Sequence, residues 1–443
     1  MVNRVGGILA GGLVVALLAV TLSGSGGTSA TLAIQDVSVV DVIAHGVVPN
    51  QTILITGDRI TSIGPASEID IPPSAEIVDA RGLFAVPGLT DLHVHIDEED
   101  LPLFLANGVT TIREMNGSLD HLALRDEVES GERTGPAMYV TGPLLAGVEQ
   151  QWRHQLVTTT DEARQEVARQ AEAGFDYVKI YDGLSLEVYE TIAGLADSLG
   201  LSFLGHIPES VGLDRVVAQG QLTVEHVEQL VNATAGHDLD LLQVPGTVER
   251  LGQGEIAVTP TLAAMEILSS RRSAWFDSLF ERPEMIFAPT GVVGWWESMR
   301  QRPGARAGLR DTTTGGAGER IEYYRALTRA LSAAGVELLV GTDTPNPLLV
   351  PGFSMHHELE ALVRAGLDVG LVLEAATQGA AVHLGAEDEF GSISPGLRAD
   401  IALVTGNPLD DLANLRDLRG LVLRGSYLDR PRLDAMLDDV ARE

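Results

Sequence analysis

The sequence contains no cysteine. That excludes disulfides, thiolate metal sites, a cysteine nucleophile and a lipid-modified N-terminal cysteine. Aromatic residues are few, at 5%, and positive charge is scarce: 30 basic against 62 acidic residues leave a formal charge of −32. So acidic a chain is poorly suited to nucleic-acid backbones or anionic membrane surfaces. The sharpest shortage is of lysine. Every basic residue but Lys179 is an arginine. Arginine keeps its proton, whereas a lysine amine can lose it and then act as a nucleophile.

What remains is ample for a large core. The chain has 443 residues, 45% of them apolar, with 48 glycines spread along its length. This is the composition of a turn-rich globular protein, one large domain with an appendage. Residues 1–30 read as a targeting signal: Arg4, an apolar run from Val5 to Leu22, then small residues from Ser23 to Ala30. The expectation is export to the periplasm or the outside, with cleavage near Ala30. A run of this length also suits an uncleaved membrane anchor, the one membrane contact expected.

Beyond the signal, the pattern predicts an α/β protein, a (β/α)8 TIM-type barrel with a small β-sandwich domain formed by both chain ends. Short alternating strands at Ala33–Val42, Thr52–Thr56 and Arg59–Ile63 mark the N-terminal part, 31–86. Ile401–Val404 and Gly420–Leu423 mark the C-terminal part, 389–443. Between them, 87–388 alternates apolar strands with helical stretches. The eight expected strands are Leu89–His95, Thr110–Glu114, Ala137–Thr141, Tyr177–Tyr181, Ser202–His206, Leu222–His226, Ala257–Thr261 and Glu337–Thr342. An open doubly wound sheet is the alternative, but no glycine-rich phosphate loop follows the first strand. A long insert, Met265 to Arg320, holds Trp275, Trp295 and Trp296 and reads either as peripheral helices or as a lid.

Chemistry-bearing residues recur at the ends of these strands. In Asp91-Leu92-His93-Val94-His95, alternation puts both imidazoles on one face, suited to holding one metal ion. Lys179, His206, His226 and Asp343 close later strands, and barrel chemistry sits at strand C-termini. A cationic lysine is a poor ligand. As a carbamate formed with carbon dioxide it becomes a long-stemmed carboxylate able to span two cations, which would in turn stabilise it. A Schiff-base role is the alternative, although it leaves the histidines without a purpose. Histidine donors suit zinc, with manganese, cobalt or iron also compatible. By alternation Glu225 should face away from His226, and Asp97–Asp100 should be a solvated loop. Tyr181, Arg153 and His154 are candidate substrate contacts. His121, His237, His356, His357 and His383 read as surface or packing residues.

These residues and the phrases Pro87–His95, Gly108–Arg113, Gly341-Thr342-Asp343 and Gly391–Asp400 resemble the binuclear amidohydrolase superfamily. The likeness is nearest to imidazolonepropionase-related proteins and amidohydrolase-type Xaa-Pro dipeptidases (prolidases). It implies two divalent ions, with His93, His95 and Asp343 on the more buried one and His206 and His226 on the other. Carboxylated Lys179 would be shared, and Asp343 would serve as general base and then acid for a hydroxide held between the ions. The implied activity is hydrolysis of an amide in a dipeptide or N-acyl amino acid. Lactonase, phosphotriesterase-like or cyclic-amide hydrolase activity is the alternative, and a non-catalytic ligand-binding barrel the non-enzymatic one. Imidazolonepropionase lacks the bridging lysine, so Lys179 shifts the likeness toward the dipeptidases. Arg113-Glu114-Met115 and the insert after Thr261 depart from the familiar pattern and leave the substrate open. Association into a homo-oligomer is also open.

Overall fold

The computed structural model describes residues 30–234, 239–271, 273–288, 290–301 and 316–442. Most of the expected signal segment, 1–29, parts of the insert (272, 289 and 302–315) and His237 lie outside the described residues. Among the described residues no helix is long and apolar enough to cross a membrane.

Both ends of the chain build one eight-stranded sheet. Its order runs Ser426–Asp429, Leu418–Leu423, Ile401–Val404, Phe84–Pro87, Leu32–Asp41, Gly46–Thr56, Arg59–Pro65, with Glu76–Asp79 also pairing with Leu32–Asp41. Antiparallel pairing of Ile401–Val404 with Phe84–Pro87 joins the late segment to the early one. Its alternating β-branched residues, Ile34, Ile53, Ile55, Ile60, Ile401 and Val422, bury one side in a separate core.

The middle of the chain is parallel throughout. Leu89–Val94, Val109–Glu114 and Ala137–Val140 form one sheet. Tyr177–Ile180, Ser202–Gly205, Thr223–Glu225 and Ala257–Thr259 form another, with the short strands Leu145–Ala146 and Gln155–Leu156 at its edge. A bridge between Thr141 and Tyr177 links the two sheets. These strands are apolar and buried on both faces, as parallel strands covered by helices must be. Crossover helices such as Thr160–Ala173 and Leu186–Leu199 carry Thr159 and Ser185 caps and end at left-handed glycines, Gly174 and Gly200.

The eighth expected strand, Glu337–Thr342, differs from expectation. It is extended but makes only an isolated bridge, at Leu338, with a second just beyond it at Thr344. Its backbone nonetheless bonds to both flanks. Val258 donates to Glu337 and receives from Leu339, while Leu92 and His95 donate to Val340 and Thr344 and Asp343 donates to His93. Regular pairing is interrupted by Gly341, where a side chain would collide with His93, and by Asp343, whose φ of 61° is left-handed.

The acidic stretch after the first strand also departs from a solvated loop. Residues Glu98–Asp100 form a 3-10 turn, and Asp100 is buried, accepting a hydrogen bond from the Asp97 amide at 3.0 Å.

Candidate metal centre

The strand ends converge on one cavity of about 1960 Å³, whose walls include His93, His95, Lys179, His206, His226 and Asp343. All six candidate ligands therefore meet there. Nε2 of His93 and Nε2 of His95 each lie 3.4 Å from Oδ1 of Asp343, and Nδ1 of His226 is 3.8 Å from its Oδ2. Ligand atoms of His93, His95 and Asp343 all fall within 4.8 Å of one another. The His226 ring is 4.7 Å from that of His93 and 5.1 Å from that of His206.

Each imidazole is oriented from behind. Nδ1 of His93 contacts Glu225 at 2.7 Å, Nδ1 of His206 contacts Asp182 at 2.8 Å, and Nδ1 of His226 contacts the Thr261 hydroxyl at 2.8 Å. Glu114 lies 3.7 Å from Nδ1 of His95 and accepts from the amides of Ile96 and Asn116. Carboxylates on Nδ1 put the proton there and leave the Nε2 lone pairs of His93 and His206 free. Those two Nε2 atoms, and Nζ of Lys179, are buried and have no hydrogen-bond partner among the described residues.

Electrostatics follow from burial and crowding. Burial, with the charges of Lys179, His95, Arg113 and His206 adding to it, holds the His93 imidazole well below its ordinary pKa. Burial does the same for His226, against the pull of Asp343. Burial would lower His95, but the nearby Asp343 and Glu114 carboxylates outweigh it and raise the imidazole to about 9. Burial would raise Asp343, yet the neighbouring His226, His95 and Lys179 side chains together bring it below the usual carboxylate range. Burial lowers the Lys179 amine to about 8, Glu225 and Asp343 opposing, so the neutral amine is accessible near neutrality.

Glu225 corrects the expectation from strand alternation. It lies off the cavity wall but backs the site, bonded to His93, to Arg113 at 3.0 Å and to the Thr223 hydroxyl at 2.5 Å. The cause is local: the strand ends at Glu225 and His226 has φ 69°, so the two-residue alternation does not carry across that pair. Arg113 and Glu225 form a wholly buried ion pair beneath His93. Asp182, three residues beyond Lys179, is a further residue that strand alternation does not single out, although a carboxylate just past a strand end is a visible signal.

Of the candidate substrate contacts, Tyr181 and Arg153 line the cavity. The Tyr181 ring lies 4.0 Å from that of His206, tilted 34°, and Arg153 donates to the Asn116 carbonyl. His154 is not on the cavity wall; its ring donates to the Trp152 carbonyl and sits 3.3 Å from Glu149. His121, expected as a packing residue, does line the wall and bonds the Ile96 carbonyl.

Residues 84–426 match the model of the amidohydrolase family. The chain belongs to that family. Amidohydrolases are hydrolases that generally use divalent metals. This amidohydrolase is similar to the imidazolonepropionase of Rubrobacter xylanophilus, with 27% identity over 391 residues, 80% of this chain and 84% of that one. It also matches adenine deaminases, spanning much less of their length. The match to the one from Rubrobacter xylanophilus has 29% identity over 26% of this chain and 21% of that protein. For the one from Paracoccus denitrificans the figures are 22%, 86% and 55%. Among solved structures, a Bifidobacterium longum protein assigned as a prolidase superposes with TM-score 0.71 at 27% identity, covering 92% of this chain and 98% of that one. A bottromycin amidohydrolase shares the α/β fold, with TM-score 0.74 at 24% identity over 93% and 90% of the two chains.

Proposed function

We propose that this amidohydrolase cleaves an amide bond, in a dipeptide of the Xaa-Pro kind or an N-acyl amino acid, at a site built for two divalent cations. The observation that carries the reading is Lys179. The chain's single lysine is buried, its amine has no partner among the described residues, and four imidazoles and a carboxylate share its cavity. A buried, unpaired ammonium is costly. Attack of the neutral amine on carbon dioxide forms an N–C bond, releases one proton and leaves an anionic carbamate in its place.

The donor set fits such ions. Two ligands about 2.0–2.1 Å from a tetrahedral ion lie about 3.3 Å apart. The 3.4 Å separations between Asp343 and the Nε2 atoms of His93 and His95 agree with that spacing. His93, His95 and Asp343 would hold the more buried ion, His206 and His226 the more exposed one, and carboxylated Lys179 both. Zinc is the reference metal. When bound, the ions would lower the pKa of a water and polarise the scissile carbonyl.

The remaining work falls to the chain. Asp343 faces the cavity between the histidines, where it can accept the proton of the attacking water and return it to the leaving amine. Glu225 and Asp182 hold the rings of His93 and His206 in one tautomer. Tyr181 and Arg153, on the wall, are placed to contact substrate. Hydrogen bonds on both flanks of residues 337–344 support a closed (β/α)8 barrel within 87–388, with 31–86 and 389–443 as its flanking β-sandwich domain. Export through residues 1–30 accompanies this reading.

A screen of dipeptides and N-acyl amino acids beside lactones and phosphotriesters tests it. Turnover is expected among the amides; turnover confined to the esters would overturn the assignment.

A further inference from the structure

The cavity is larger than a dipeptide needs. Its volume of about 1960 Å³ exceeds the roughly 300–1,000 Å³ of ordinary small-ligand sites. Two of the chain's four tryptophans face it, Trp152 and Trp295. Their rings meet edge-to-face, 5.2 Å apart at 88°. Trp152 lies in the loop between strands Leu145–Ala146 and Gln155–Leu156, whereas Trp295 lies on the insert helix Thr290–Gln301. The pair therefore joins a loop and a helix distant in sequence at the cavity wall.

The neighbouring Trp296 explains how that helix is seated. It is fully buried and donates its indole N–H to the Pro345 carbonyl at 3.0 Å, two residues beyond Asp343. Successive helical residues point about 100° apart. Anchoring by Trp296 thus leaves Trp295 directed at the cavity, partly exposed. Trp152 is 36% exposed, and it shares the cavity wall with Tyr181, whose ring lies against His206. Trp296 is covered and Trp275, though exposed, lies off the cavity wall; Trp152 and Trp295 are the two that keep indole surface open toward the cavity that holds the candidate metal ligands. Val292, Met265 and Leu268 extend the same apolar wall.

We propose that Trp152 and Trp295 are specificity-determining residues that bind a large aromatic group of the substrate, making the preferred substrate an amide with a bulky aromatic substituent. The inference rests on the amide-hydrolase reading above. A ring inserted beside the pair exchanges one aromatic contact for two and buries indole surface now open to water. A methyl group in that place gains neither.

The experiment uses the metal-loaded full chain and amides whose acyl group, or whose amine, grows from methyl to phenyl to naphthyl. kcat/KM is expected to rise at least roughly tenfold from the methyl to the naphthyl member. Trp295→Leu and, separately, Trp152→Phe should lower that ratio, the first more than the second. A flat series, or a ratio unchanged in both variants, would overturn the proposal. If wild type hydrolyses none of the amides, the functional reading fails instead. The wall is then decided by indole fluorescence during titration with a naphthoyl amino acid. Saturable quenching that Trp295→Leu weakens supports the wall, and absence of quenching refutes it.

Discussion

Glu225 holds a carboxylate oxygen 2.7 Å from Nδ1 of His93, and its other oxygen receives the guanidinium of Arg113 at 3.0 Å. All three side chains are buried, so Glu225 is both a counter-charge for Arg113 and the group that fixes the His93 tautomer. Glu225→Gln removes the charge while keeping the shape. Leaving Arg113 uncompensated should cost about 3–5 kcal/mol of stability, and zinc affinity should fall roughly 10–100-fold. Urea unfolding and chelator competition measure the two effects. A variant of wild-type stability would contradict the buried pair, and one of wild-type affinity would contradict the orienting role.

Gly341 tests how tightly the extended eighth segment packs against the site. A Cβ there would sit 2.7 Å from Cβ of His93 and 2.6 Å from Cγ2 of Thr259. Gly341→Ala should therefore displace His93 or the Thr259 strand, at about 1–3 kcal/mol by the usual cost of overpacking. Thermal unfolding without metal reads the packing cost, and metal content reads the displacement. Unchanged values for both would show that the segment yields freely.

How legible the molecule is from its sequence depends on which regularity is used. Strand alternation brings out His93 and His95, and the strand-end rule brings out Lys179, His206, His226 and Asp343. The structure gathers all six at one cavity. Glu225 escapes the same logic because a left-handed residue, His226, breaks the two-residue period beside it. The eighth strand is correct as an extended segment but not as a regular one, since Gly341 and Asp343 interrupt its pairing. In the insert, Trp295 and Trp296 are indistinguishable in sequence. Only the bond from Trp296 to Pro345 decides which one is anchor and which faces the cavity.

Asp100 supplies a pH test at a buried carboxyl that is not itself a candidate ligand. Burial first, and then the negative charges of Asp97, Glu99 and Glu114, raise its carboxyl to about 7 from an ordinary 3.8. The folded chain then keeps a proton that the unfolded chain releases above about 4. Its contribution to stability is fully present below the unfolded value and is lost as pH rises to about 7. The melting temperature of Asp100→Asn, which carries no such group, should therefore gain on wild type between pH 4 and pH 7. Parallel profiles would refute a protonated Asp100.

The central claim, that carboxylated Lys179 bridges two cations, is tested most directly by metal stoichiometry. Metal-free protein would be reconstituted with zinc, with and without bicarbonate, beside Lys179→Met treated identically. The account predicts close to two ions per wild-type chain with bicarbonate, fewer without it, and one or none in Lys179→Met under either condition. Two ions in Lys179→Met, or a single ion in fully reconstituted wild type, would contradict it.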